Sequence, residues 1–275
     1  MTDARRLAEL IDIWRQAIAE FVALARDIPE DQWHTPTDLA GWTVKDNVAH
    51  TAHLEAVLAT GNEETGPEIS SVEEAPHVRG VTGMYTEQGV AARRDRGMAE
   101  LADEIEQASA TRDAALQADP PTDGSAPPPK TPGDVAWTTE RLLSNRPLDV
   151  WMHEQDIRRA IGRPGGFDTP AARHTIDVFG QALPVVVGKR VAPAPGTTVR
   201  VDVPEADRSW TVLVGDDGRA GIVDPVEQPS VRITLGAEDF VILAGGRRPP
   251  EATSAKIEGD TELGRAVLAQ LAVTP

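Results

Sequence analysis

The sequence predicts two unlike halves, a four-helix bundle over about residues 1–163 and a smaller α+β domain over about 170–275. Three observations carry this expectation. Apolar residues recur every three or four positions through much of the first half, the period of a helix with one buried face. Beyond residue 197 the period changes to short alternating or continuous β-branched runs, as in strands. Between the two patterns, Gly162-Arg163-Pro164-Gly165-Gly166 cannot continue a helix.

The first helix is predicted from Thr2 to about Ile28, with Leu7, Leu10, Ile11, Trp14, Ile18, Phe21, Val22 and Ala25 on one stripe. Pro29, Pro36 and Gly41 break that period. Thr43 then offers a side-chain cap to a second helix opening at Val44-Lys45-Asp46 and carrying His50 and His53. Gly61 to Gly83 reads as a surface loop. A third helix is expected from about Tyr85 to Leu116, with Arg93, Arg94, Asp95 and Arg96 in one solvated run. The proline-rich stretch Asp119 to Gly133 reads as a stiff, exposed connector.

A fourth helical region begins near Asp134 and meets Pro147. An interior proline costs about 3 kcal/mol, so either the helix kinks or a new one starts with Pro147 in its first turn. Leu148 to Ile161 is helical on both readings. In the second half, Thr197–Val203, Trp210–Val214, Gly221–Val223, Ser230–Leu235 and Ala255–Glu258 read as strands, with Asp217-Gly218 as a hairpin turn. Glu238–Ala244 reads as a short helix. Asp260 caps a last one with the stripe Leu263, Val267, Leu268 and Leu271.

Composition narrows the function classes. The formal net charge is −17, from 27 basic and 44 acidic residues, which opposes binding to a nucleic-acid backbone or an anionic membrane. The chain holds no apolar run of the roughly 18 residues a membrane helix needs, so a soluble, cytoplasmic protein is expected. Nearly all positive charge is arginine, and with abundant alanine this suggests a GC-rich coding genome. There is no cysteine, which excludes disulfides, zinc–thiolate sites and a cysteine nucleophile. Any thiol chemistry needs a cosubstrate that brings the thiol.

Asp149 and His153 stand four apart on the fourth helical region and project from one face. His50 and His53 stand on the second helix, about a hundred residues earlier. A bundle metal site needs inward-facing ligands from more than one helix, and His50, Asp149 and His153 meet that need. Two imidazoles and one carboxylate suit zinc, iron or nickel and leave a position open for water or substrate. His53 is an alternative or additional ligand. The plainer alternative has His50 and His53 as hydrogen-bonded buried residues and Asp149 as an ordinary ion-pair partner. Asp156 either supports His153 or pairs with Arg158 or Arg159. Trp42 and Trp151 read as core anchors beside the site, and Arg141, Arg247 and Arg248 as guanidiniums able to bind a carboxylate or a sugar hydroxyl.

The segment Gly41-Trp42-Thr43-Val44-Lys45-Asp46-Asn47-Val48-Ala49-His50 resembles the first motif of the mycothiol-dependent maleylpyruvate isomerase family of actinobacteria, within the DinB-like bundle superfamily. Asp149-Val150-Trp151-Met152-His153-Glu154-Gln155-Asp156-Ile157-Arg158 resembles that family's second motif. Ile233-Thr234-Leu235, Gly245-Gly246-Arg247-Arg248 and Lys256-Ile257-Glu258-Gly259-Asp260 are similar to the sterol-carrier-like α+β domain that follows the bundle. The resemblance implies a divalent metal, most often Zn2+, on His50, Asp149 and His153, and mycothiol as the thiol cosubstrate. The isomerase has glutamate where this chain has the shorter Asp149. The expected activity is a thiol transferase or isomerase acting on a small electrophile, in a cleft between bundle and second domain, with a metal-activated thiolate as nucleophile. The alternatives are a metal-dependent hydrolase of the same fold, a family member without catalysis, and a non-enzymatic small-molecule-binding protein.

Overall fold

The structure, a computed structural model, describes residues 2–66, 77–78 and 80–274. Two compact units divide the chain at residues 172 and 173. The first is built on α1 (Asp3–Arg26), α2 (Val44–Thr60), α3 (Gly80–Ala91), α4 (Met98–Ala118) and α5 (Thr139–Ala160). Helix α1 packs against α4 and α5, α2 packs against the same two, and α3 lies on α2. The predicted stripe of α1 is buried along its length, and Leu7, Trp14 and Phe21 meet the core with Val48, Leu101, Ile105, Val150 and Trp151.

Helix α2 starts where the sequence places it. Thr43 Oγ1 accepts from Asp46 N, and Asp46 Oδ2 accepts in return from Thr43 N at 2.8 Å, a reciprocal cap that satisfies two amides left open by the helix start. This cap fixes the rotational phase of every α2 side chain that follows. Gly61, with φ near +75°, ends the helix in the left-handed region.

The expected third helix is two helices. The chain breaks between Ala91 and Met98, and the arginine run predicted to be solvated is the reason. Arg93 is 2% exposed; its guanidinium donates to Glu104 Oε1 at 2.6 Å on α4, to Gly89 O, and to His53 Nδ1 at 3.2 Å on α2. Arg94 and Arg96 are likewise paired, with Asp46 and Glu87 and with Glu64 and Glu104. Arg93 turns inward while Arg94 and Arg96 pair nearer the surface, and Gly97, whose N–H is taken by Glu100, opens α4 afresh. Of the expected loop at 61–83, residues 67–76 and 79 lie outside the described residues, and α3 begins at Gly80, inside the expected loop.

Thr139, capped by Thr138, begins α5, and Pro132–Asp134 forms only a single 3-10 turn ahead of it. Pro147 does not start a new helix; it sits inside one continuous helix whose buried face includes Leu143, Pro147, Leu148, Val150 and Trp151. Burial of that face outweighs the one lost hydrogen bond. The connector before α5 is pinned at points, with Gly124 N bonded to Asp3 Oδ2 and Thr139 N to Ala126 O.

Helix α6 (Pro170–Gln181) carries the chain across the boundary into the second unit, where α7 (Leu183–Val185) and a π-helical stretch at Val186–Val191 precede the sheet. The sequence reading did not include α6, although Thr169 caps it through Ala172 N and Ala172, Ile176 and Phe179 form its buried stripe. The sheet contains β1 (Thr198–Val203), β2 (Arg208–Val214), β3 (Ala220–Val223), β4 (Val231–Thr234) and β5 (Lys256–Gly259), in the order β3-β2-β1-β4-β5. All neighbours are antiparallel except β1 and β4. Val199, Val201 and Val203 alternate inward with Arg200 and Asp202 outward. Helices α8 (Ala237–Ala244) and α9 (Thr261–Ala269) complete the unit, and Phe240 stacks on Trp210 at 5.6 Å. Among the described residues, no helix is long and apolar enough to cross a membrane.

Candidate metal centre

His50 from α2 and Asp149 and His153 from α5 meet inside the bundle unit. One ligand atom from each lies within 4.8 Å of the others. His50 Nε2 is 3.5 Å from Asp149 Oδ2, His153 Nε2 is 3.7 Å from Asp149 Oδ1, and the two imidazole centroids are 4.6 Å apart. Both histidines are buried, whereas the Asp149 side chain keeps 22% of its surface, so the triad is open on the carboxylate side.

The His153 tautomer follows from its neighbour. Asn47 Nδ2 donates to Thr43 O at 2.9 Å, which turns Asn47 Oδ1 toward His153 Nδ1 at 2.8 Å. That oxygen only accepts, so His153 carries a proton on Nδ1 and turns Nε2 toward the triad. Asp156 Oδ2 stands 3.5 Å from the same Nδ1, while its Oδ1 pairs with Arg159, whose Nε donates to Asp38 at 2.8 Å. Of the two roles the sequence left open, the pairing with Arg159 is present, and the second oxygen of Asp156 lies within ionic reach of His153. The His50 Nδ1, by contrast, is buried with no hydrogen-bond partner among the described residues. Its ring is steadied by Trp42, 5.0 Å away.

Trp42 is half-buried and also lies 5.9 Å from the His153 ring, so it forms a wall of the centre. Its Nε1 donates to Glu87 Oε2 at 2.7 Å; Glu87 also meets His77 Nε2 at 3.1 Å and Arg94 Nη2 at 2.6 Å. Trp151 is fully buried, with Nε1 donating to Gly166 O, as expected of a core anchor.

The charges sort by surroundings. Burial pushes His50 down to about 4, against the opposing pull of Asp149, so the ring is neutral at pH 7 with a lone pair to give. Burial would also lower His153, but Asp149 and Asp156 reverse that and raise it. Asp149 is held well below the usual carboxylate range; its burial works the other way and is overcome by Arg146 and the two imidazoles.

His53 does not join the triad. Its Nδ1 accepts from Arg93, its ring lies 5.5 Å from Tyr85, and burial, then Arg93 and His50, depress it to about 3. Arg141 is exposed at the start of α5, its guanidinium 5.8 Å from the Trp137 ring centroid. Arg247 belongs to the second unit, where Nη1 donates to Gly245 O at 2.7 Å. Asn47 escaped the sequence reading, although it stands three residues before His50 on the same face. Arg146 and Glu55, which stand behind Asp149, escaped it too, and no local signal marks them.

The donor set and spacing fit a metal ion. Ligands about 2.1 Å from a tetrahedral ion lie about 3.4 Å from one another; the two imidazole–carboxylate distances above are near this but run to different oxygens of Asp149, and one ligand atom from each residue lies within 4.8 Å of the others. Fold and centre together define a helical-bundle protein with a His2Asp cluster joined to a small five-stranded α+β unit. The model for the mycothiol maleylpyruvate isomerase N-terminal domain matches residues 14–158, and that for the MDMPI C-terminal domain matches 173–266. The chain belongs to the mycothiol maleylpyruvate isomerase family, a family of enzymes, as the two sequence motifs had implied. Crystal structures of the mycothiol-dependent maleylpyruvate isomerase and of its histidine-to-alanine mutant are similar to it, each at TM-score 0.57, with 17% and 16% identity. Each alignment covers 93% of this chain and 96% of the other. At that identity the likeness concerns the fold. No curated protein matches the chain in sequence.

Proposed function

We propose that this chain is a metal- and mycothiol-dependent isomerase or thiol transferase acting on a small electrophile. The convergence of His50, Asp149 and His153 from two helices, in a family described by mycothiol and maleylpyruvate isomerisation, carries the reading. His50 would offer a neutral imidazole nitrogen, His153 its Nε2 once an ion displaces the proton that Asp149 and Asp156 favour there, and Asp149 a carboxylate oxygen, with Zn2+ the best match to two nitrogens and one oxygen. When bound, the ion supplies Lewis acidity that lowers the pKa of a thiol at its open position, making thiolate available at neutral pH to attack an electrophilic carbon. Asn47 keeps the His153 proton on Nδ1, away from the incoming group. Trp42 covers the histidines and limits water. Arg141 and Arg247 are proposed to bind carboxylate or hydroxyl groups of the organic ligands, on the chemistry of their guanidiniums alone.

Metal analysis of the purified protein beside His50→Ala and His153→Ala tests the site, with loss of stoichiometric metal expected in both variants. Metal retained in both would overturn it. Turnover of an electrophile such as maleylpyruvate should require mycothiol. Activity with water alone would make the protein a metal-assisted hydrolase instead.

A further inference from the structure

Behind the triad lies a buried ionic cluster that the proposed chemistry does not use. Glu55 on α2 is fully buried and gathers one side chain from each of the other three main helices. Its Oε1 accepts from Trp14 Nε1 of α1 at 3.2 Å and from Arg146 Nη2 and Nε of α5 at 2.8 and 3.1 Å. Its Oε2 accepts from Arg112 Nη1 of α4 at 3.4 Å, and the Arg112 guanidinium lies 4.6 Å from the Trp14 ring. Arg146 is 1% exposed and has one further arm, in which Nη1 donates to Asp149 Oδ2 at 2.8 Å.

An Arg–Asp pair three residues apart on a helix surface is usually loose and contributes little. This one differs because the guanidinium is clamped from behind. Two of its nitrogens are fixed on Glu55, so the direction of Nη1 is fixed, and with it the rotation of the Asp149 carboxylate. Only a planar fork can grip two carboxylates in this way; a lysine ammonium has the charge without the geometry.

We propose that Arg146, anchored by Glu55, is a positioning residue that orients Asp149 so that Oδ1 faces His153 and Oδ2 faces His50, pre-setting the centre for its ion. The proposal rests on the metal reading given above. It also gives a reason for a buried charge cluster that apolar residues of similar volume would replace at little or no cost to stability.

Three roles for Arg146 predict different signs for metal affinity. If the guanidinium acts only through its charge, its removal tightens binding of a cation. If it is only a packing element, affinity stays the same. If it positions Asp149, affinity falls, by about 10–100-fold as for other groups that orient metal ligands. The experiment measures Zn2+ affinity of the full chain by competition with a chromophoric chelator, together with the visible spectrum of the Co2+ form. In Arg146→Met, Glu55 keeps Arg112 and Trp14; should that variant not fold, Arg146→Lys, which keeps the buried charge, is read in its place. Either variant is expected to bind Zn2+ at least 10-fold more weakly, with an altered Co2+ spectrum. Glu55→Gln, which loosens the clamp but spares the Asp149 contact, is expected to give a smaller loss in the same direction. Unchanged or tighter binding with an unchanged spectrum overturns the positioning role while leaving the metal reading intact. A wild-type chain that binds neither ion overturns both.

Discussion

His50 and His53 stand three positions apart on one helix, yet only His50 joins the candidate centre, and Arg93 explains why. A guanidinium never accepts a proton donor, so its contact with His53 Nδ1 requires a lone pair there and holds the ring neutral. Folded His53 is pushed down to about 3, from the ordinary imidazole value of 6.5. Below about pH 6.5 the unfolded chain takes up a proton that the folded chain refuses, so the fold loses stability from there down to about pH 3, by up to about 1.4 kcal/mol per pH unit. Above that window His53 contributes no pH dependence. Denaturant titrations of the metal-free protein between pH 4 and 7 check this against His53→Asn, whose Oδ1 can keep the Arg93 bond. The variant should show a shallower decline by about one proton; identical slopes would refute the assignment. The sequence placed His50 in the ligand set and left His53 as an alternative or additional ligand; both rings are buried, and it is Arg93, forty residues away, that takes His53 Nδ1.

At the scale of elements, the α2–α3 contact depends on a missing side chain. A Cβ at Gly89 would come within 2.2–2.6 Å of the His53 ring. Inside a helix, glycine to alanine ordinarily gains about 1 kcal/mol. Here overpacking should reverse the sign, so Gly89→Ala is expected to lose about 1–3 kcal/mol in urea unfolding. A gain would show that α3 shifts freely on α2. The cap at Thr43, the stripe of α1 and the β-branched strands were legible because each is written in neighbouring residues. The break between α3 and α4 was not, since Arg93-Arg94-Asp95-Arg96 looks solvated until Glu64, Glu87 and Glu104 stand beside it. At Pro147 the sequence left two readings open, a kink or a new helix, and one continuous helix removes the second.

For the whole molecule, the candidate centre lies wholly within the first compact unit, so an ion should stabilise that unit alone. Free Zn2+ at about a thousand times its Kd would add about 4 kcal/mol to it. Differential scanning calorimetry should show the bundle transition rise with Zn2+ while the α+β transition stays in place, and His50→Ala should abolish the shift. A uniform rise of both transitions in that variant would indicate unspecific binding. The triad itself was legible in two short motifs, whereas the Glu55 cluster was not, because its partners are distant in sequence.

The same long separations bear on the order in which the protein assembles. Glu55 and Arg146 close a loop of 91 residues, and Asn47 and His153 close one of 106 that encloses the first. Bringing such distant ends together costs about 4 kcal/mol of chain entropy for the first closure. The second closure is nearly free, since both helices are already joined by the inner clasp. The inner clasp and the candidate centre should therefore form together and late, and a chain that has failed to collapse would bring no His50–Asp149–His153 cluster together.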